Sequence, residues 1–208
     1  MRGTVVDPQL RRILQSITDE CIGDRGHDQI ALIEALSHEY PHSISLVQEA
    51  ILGKPESGNF TCFQYALDLI DLPDQVRLIT SRFPRVFVGS DFFGWLTANI
   101  LQPTGLDHAR EGDLVLYLAG GRVEHAARLS ADLLISKWGL GHMWRHGLFE
   151  VPEAFGGKVK CFQAFSSDAA GDAFIKYAKH VIGGDRIEQL IGPDGGCLTR
   201  RIWTPPTS

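Results

Sequence analysis

The chain has no paired cysteines, no long apolar run and no tract of basic residues, and each absence removes a class of protein. Its four cysteines, Cys21, Cys62, Cys161 and Cys197, are widely spaced and form no CxxC pair, which excludes a zinc ribbon and a dense disulfide scaffold. No stretch approaches the ~18 consecutive apolar residues of a membrane helix; even residues 114–119 are only strand-sized. With 20 basic against 25 acidic residues and a net charge of −5, nothing resembles a phosphate track, so nucleic acid is not an expected partner. The residues before Arg11 and Arg12 carry no apolar core of a secretory signal, so the chain is expected in the cytoplasm. What is present suffices for folding: 44% hydrophobic against 22% charged residues in 208 closes a core without staples.

The periodicities divide the chain into helices first and a sheet after, an α+β class. Asp7-Pro8 is a capping residue followed by proline at the first helical position, and Leu10, Ile13, Leu14 and Ile17 share a face. A second helix is expected over 28–40 and a third, closed by Gly53, over 43–52, with 54–58 a loop. Further helices are expected at 62–70, 91–101 and 167–182, with a β-type run at 85–89. Residues 114–118 are continuously apolar, as in a covered central strand, and Gly120-Gly121 makes a turn. Strands at 123–129, 133–138 and 159–165 complete a meandering antiparallel sheet. The proline-rich tail 204–208 has no pattern, and the reading divides the chain into an N-terminal helical extension, 1–56, and an α+β domain, 57–208.

Two cues place Cys62 at the start of its helix. Thr61-x-x-Gln64 is a capping box, and Phe60 with Tyr65 sits at the staple positions. A thiol there faces unpaired backbone amides and the positive end of the helix dipole, which favour the thiolate and can also hold an oxyanion. Cys21 and Cys161 are expected in the core, and Cys197 exposed. On the strand 123–129, period two puts Val123, His125, Ala127 and Leu129 on one face. A Cys62 helix packed on that face would bring an imidazole to the thiol, the pairing that generates a nucleophile and later protonates a leaving group.

A third group should hold the imidazole's tautomer. Depending on the turn at 130–132, the residue opposite His125 is Trp138, Lys137 or Ser136. Ser136 is the better hydrogen-bond partner, since an ammonium cannot accept, and His146 is its rival. His142 and His146 have i, i+4 spacing but no carboxylate motif beside them, so neither metal nor cofactor is expected. Phe92, Phe93 and Trp95 are candidates for the wall of a cleft or for the core.

Residues 59–67 (Asn-Phe-Thr-Cys-Phe-Gln-Tyr-Ala-Leu), 111–117 (Glu-Gly-Asp-Leu-Val-Leu-Tyr) and Val123-Glu124-His125-Ala126 together resemble the NlpC/P60-like branch of the papain-fold cysteine hydrolases. Ser136-Lys137-Trp138-Gly139 through His146 to Val151-Pro152-Glu153 is similar to bacterial proteins associated with that branch. The resemblance implies a papain-like core, Cys62 as nucleophile, His125 as base and a peptide or other amide as substrate. Better-known members carry Asp-Cys-Ser-Gly where Thr61-Cys62-Phe63-Gln64 stands, which leaves the substrate open. Other expectations are a thiol acyltransferase or deamidase on the same scaffold, and a catalytically silent interaction module. Oligomeric state is not legible.

Overall fold

The computed structural model describes residues 7–21, 25–49, 60–139 and 141–192. In chain order the elements are α1 (Pro8–Glu20), α2 (Gly26–Leu36), β1 (Ser45–Gln48), α3 (Cys62–Ala66), α4 (Asp74–Arg82), α5 (Ser90–Asn99), β2 (Pro103–Thr104), β3 (Leu114–Ala119), β4 (Arg122–Ser130), β5 (Leu133–Lys137), β6 (Met143–His146), β7 (Lys158–Phe162), α6 (Ser167–Ile182) and α7 (Gly184–Ile191). The class is α+β, with an open antiparallel sheet in the order β1-β6-β5-β4-β3-β7-β2. Among the described residues no helix is long and apolar enough to cross a membrane.

The sheet is covered on both sides, which explains the unbroken hydrophobicity of β3. One face carries Leu114, Leu116, Ala126 and Phe162 under α3 to α7. The other carries Val115, Tyr117, Ala127, Leu129, Leu134, Trp138 and Trp144, packed with Leu10, Leu14 and Ile17 of α1 and Ile33 of α2. The helices read as an extension therefore share a core with the sheet.

Several elements follow their sequence signals. Asp7 accepts from the amides of Gln9 and Leu10, capping α1. Ser130 pairs with Leu133, giving a two-residue turn with Ala131 at φ 54°. Other expectations fail. Residues 45–48, expected in a helix, form edge strand β1, because Leu46 and its neighbours find a ladder on β6. The β-type run 85–89 is a bend buried through Val86 and Val88, and α4 was not foreseen. The expected helix 62–70 ends at Ala66, since Asp68 takes a positive φ of 56°. For Phe92, Phe93 and Trp95 the core alternative holds: Phe92 and Phe93 are core residues and Trp95 packs against that core, with Phe92 meeting Phe174 edge-on at 5.2 Å and Trp95 5.9 Å from Tyr177. Cys21 and Cys161 are buried as expected. Cys197, the tail 204–208 and the loop 54–58 lie outside the described residues.

Candidate functional site

Cys62 is the first residue of α3, and both halves of the capping box are formed. The Gln64 amide donates to Thr61 Oγ1 at 3.2 Å and the Thr61 amide to Gln64 Oε1 at 2.9 Å. Phe60 and Tyr65 stand 6.5 Å apart as the staple. The box and staple fix where the sulfur points. It meets the sheet where β4 and β5 part: their pairing stops at Arg128 and Ile135, while β5 continues on β6 through Ser136 and Lys137.

Beside the sulfur the backbone N–H groups of Ala126, Phe63 and Cys62 itself, with the Lys137 ammonium, all favour the thiolate. Burial opposes them and wins. The residue as a whole is partly exposed, but its thiol is enclosed and its pKa is pushed up to about 11, as burial does for Cys161. The expected lowering of this pKa is therefore corrected: helix-end and amide effects are smaller than the cost of moving a thiolate out of water.

Lys137 is 2% exposed; its Nζ donates to the Gly141 carbonyl at 2.7 Å and sits 4.8 Å above the Phe60 ring. Burial lowers its pKa. It alternates with Ser136 along β5, so it faces α3 while Ser136 faces the opposite core.

His125 sits on that opposite face. A bulge at Glu124, between the pairs Tyr117–His125 and Leu118–Val123, turns Val123 towards α5 and leaves His125, Ala127 and Leu129 on the α1 side. The imidazole is 1% exposed and stacks on Phe155 at 3.8 Å, with interplanar angle 11°; Tyr117 lies 5.6 Å away. Among the described residues its Nε2 has no hydrogen-bond partner, and burial, assisted by the nearby His146, holds its pKa well below the usual value. The expectation that His125 and Cys62 share a face is thus corrected. No hydrogen bond joins them; what brings them close is the chain itself, since the Ala126 N–H beside the sulfur belongs to the residue after His125.

Ser136 and His146 do come together, both fully buried, on the His125 side. The Gly147 carbonyl can only accept, so His146 Nδ1, 2.8 Å away, carries the proton. Nε2 then accepts from Ser136 Oγ–H at 2.8 Å, and Ser136 Oγ accepts from Trp138 Nε1–H at 3.2 Å. Neither Ser136 nor His146 is hydrogen-bonded to His125, so the orienting role expected of them is not formed. Burial lowers the His146 pKa to about 4. Extending the β4–β5 register would put Trp138 opposite His125, but the ladder ends before it. His142 Nε2 binds the Gly26 carbonyl at 2.7 Å, and among the described residues no group of His, Cys, Asp and Glu is arranged to hold a metal.

Sequence reasoning missed Arg11. Buried in the α1 interface, its guanidinium donates to the carbonyls of Val151 (3.2 Å), Pro152 (3.1 Å), Glu153 (3.4 Å) and Gly156 (2.6 Å), which fixes the turn bearing Phe155 over His125. Only a weak signal was present, because Arg11 flanks the apolar stripe of Leu10, Leu14 and Ile17 and does not lie within it. Comparison with protein-family models, curated proteins and solved structures gave no match.

Proposed function

We propose that the protein is a cysteine-dependent amide hydrolase of papain-like, NlpC/P60-type architecture, with Cys62 as nucleophile and His125 as general acid and base. The observation that carries the reading is the position of the sulfur. It lies in a gap between two strands, against three backbone amides and an ammonium, and one of those amides belongs to the residue that follows a buried imidazole whose Nε2 has no hydrogen-bond partner among the described residues. Nucleophile, oxyanion donors and base are then adjacent in space or in chain.

The resting arrangement is inactive in this reading: thiol protonated, imidazole neutral and stacked on Phe155. Catalysis requires the His125 ring to leave Phe155 and reach the sulfur round the edge of β4 that is unpaired before Arg128. That takes a shift of the strand backbone at the Glu124 bulge as well as a side-chain turn, because rotation about Cα–Cβ alone keeps the ring on the α1 face. Nε2 then takes the thiol proton as the sulfur bonds to the carbonyl carbon, and the amides bind the resulting oxyanion. The imidazolium returns its proton to the leaving amine, and water attacks the thioester with the imidazole again as base. Passing the acyl group to an amine instead would make the protein a transferase on the same residues.

A second reading, a binding module in which Cys62 only packs, is favoured by the thiol's high pKa. One measurement separates them: alkylation of Cys62 by iodoacetamide from pH 5 to 11, resolved by peptide mass spectrometry, in the wild type and in His125→Ala. Excursions of the His125 ring to the thiol add a low, pH-independent reactive plateau near neutrality, above the rate of an unpaired thiol of pKa about 11, and His125→Ala removes it. A packed thiol gives a rate that climbs about tenfold per pH unit towards 11, identical in both proteins, and that result overturns the hydrolase proposal.

A further inference from the structure

The sheet face next to Cys62 carries two arginines in one cross-strand row that, among the described residues, form no ion pair. Arg128 on β4 is paired with Ile135 on β5, and Ile135 with Arg145 on β6, so the three form one row across adjacent strands. Directly opposed residues project to the same face, so both arginines stand on the side of α3, separated by two strand spacings, roughly 10 Å. An arginine side chain is long enough for two such groups to approach one ligand across that span. Among the described residues neither arginine takes part in an ion pair, and Arg128 Nε is buried without a hydrogen-bond partner. A buried guanidinium N–H with no acceptor is costly and poised for one.

The row is next to the candidate nucleophile. Lys137, two residues beyond Ile135 on the same face, is the cation beside the Cys62 sulfur, and Tyr65 of α3 has its hydroxyl within electrostatic range of both Arg128 and Arg145. Two acids also act on Tyr65. The Glu111 carboxylate is already bound to the Ala131 amide, and Asp68 sits on the exposed turn after α3.

We propose that Arg128 and Arg145, with the Tyr65 hydroxyl, form a binding site for a carboxylate carried by the substrate of Cys62, so that the substrate class is an acidic peptide or amide. The proposal rests on the reading of Cys62 as a nucleophile for its catalytic meaning, but its test does not. A planar carboxylate matches the guanidinium fork, and Ile135 between the two arginines offers an apolar floor. Anchoring the acid there holds the acyl chain along β5 towards the sulfur, whose amides and Lys137 then face the reacting carbonyl.

The test compares two reagents with the same electrophile on the full chain: bromoacetyl-β-alanine, which carries a carboxylate, and its neutral methylamide. Labelling of Cys62 is followed at pH 9 by peptide mass spectrometry, with glutathione giving the intrinsic ratio of the two reagents. The wild type should favour the anionic reagent by about five-fold over that ratio, with the preference shrinking in high salt. Arg145→Gln, at an exposed position that does not threaten folding, should reduce the preference. Arg145→Glu should reverse it, and Arg128→Gln with Arg145→Gln should abolish it. A wild-type ratio equal to that of glutathione, or a preference unchanged in Arg145→Gln and Arg145→Glu, overturns the proposal. The two failures are distinguishable: an arginine-dependent preference without a His125-dependent plateau leaves an anion site beside a packed thiol, whereas the plateau without the preference leaves a hydrolase of other specificity.

Discussion

The residues of the site are dominated by the cost of burying charge. Cys62 has three backbone amides and an ammonium near it that favour a thiolate, and its proton is still held to about pH 11. His146 shows the same effect with a measurable consequence. Its pKa is about 4 in the fold against an ordinary value near 6.5, so between those limits the unfolded chain binds a proton that the folded chain refuses. Stability therefore rises with pH across this window, is fully present above about 6.5, and falls as pH drops towards 4. The loss amounts to about 3 kcal/mol from this residue, and burial of His125 adds to it in the same direction. Urea unfolding of the wild type and His146→Gln at pH 7.5 and 4.5 checks this: the variant should be less stable at pH 7.5 but lose less stability between the two values. Equal losses would show that His146 does not titrate in the window. Of these residues, the capped position of Cys62 was legible, because capping box and staple act within six residues. The neutrality of His125 and His146 was not, because it depends on what covers them.

Between elements, one charged side chain ties an N-terminal helix to the turn beside the candidate base. Arg11 gives four bonds to carbonyls of residues 151–156, and Gly156, at φ 103°, passes so close to the Leu118 carbonyl that a side chain would collide with it. Arg11→Met removes the donors and strands buried carbonyls, with an expected cost of about 3 kcal/mol. In guanidinium unfolding this should appear as a lower midpoint with little change in slope; an unshifted midpoint would mean that water replaces the guanidinium without cost. The bulge at Glu124 is the element-scale feature that alternation could not reveal. Period two correctly keeps His125, Ala127 and Leu129 together, but it cannot show that an extra residue on β4 sends Val123 to the other face. Nor can it show which face α3 chooses, and that choice parts Cys62 from His125. β1 was misread for a related reason, since four exposed residues at a sheet edge carry no burial pattern to distinguish strand from helix.

Across the whole molecule, one sheet serves two cores, and each needs its own helices. Leu10, Leu14, Ile17 and Ile33 cover Tyr117, Leu134, Trp138 and Trp144 on the α1 side, so the domain does not end where the helical segment was expected to stop. Residues 43–208 expressed alone would leave that apolar face open to water. The expected result is a chain that binds a hydrophobic dye and loses near-ultraviolet circular dichroism while keeping secondary structure. A cooperative thermal transition like that of the intact chain would show instead that the first two helices are dispensable.

Local order fixed a good deal of this protein in advance: the α+β class, the cap that starts α3 and its cysteine, the strands β3, β4, β5 and β7, and the span of α6, whereas β6 was not foreseen and the length of the turn at Ala131 was left open. Capping, turn and periodicity rules act between residues a few positions apart, so they are written in the chain. Only the tertiary structure decided which face of the sheet each helix covers, and with it that the thiol keeps its proton, that Lys137, Arg128 and Arg145 gather on the Cys62 side, and that Phe155 lies over His125. Those outcomes depend on burial and on the meeting of distant segments, where the energy of a charge or a thiol is set by the atoms surrounding it and not by its neighbours in sequence.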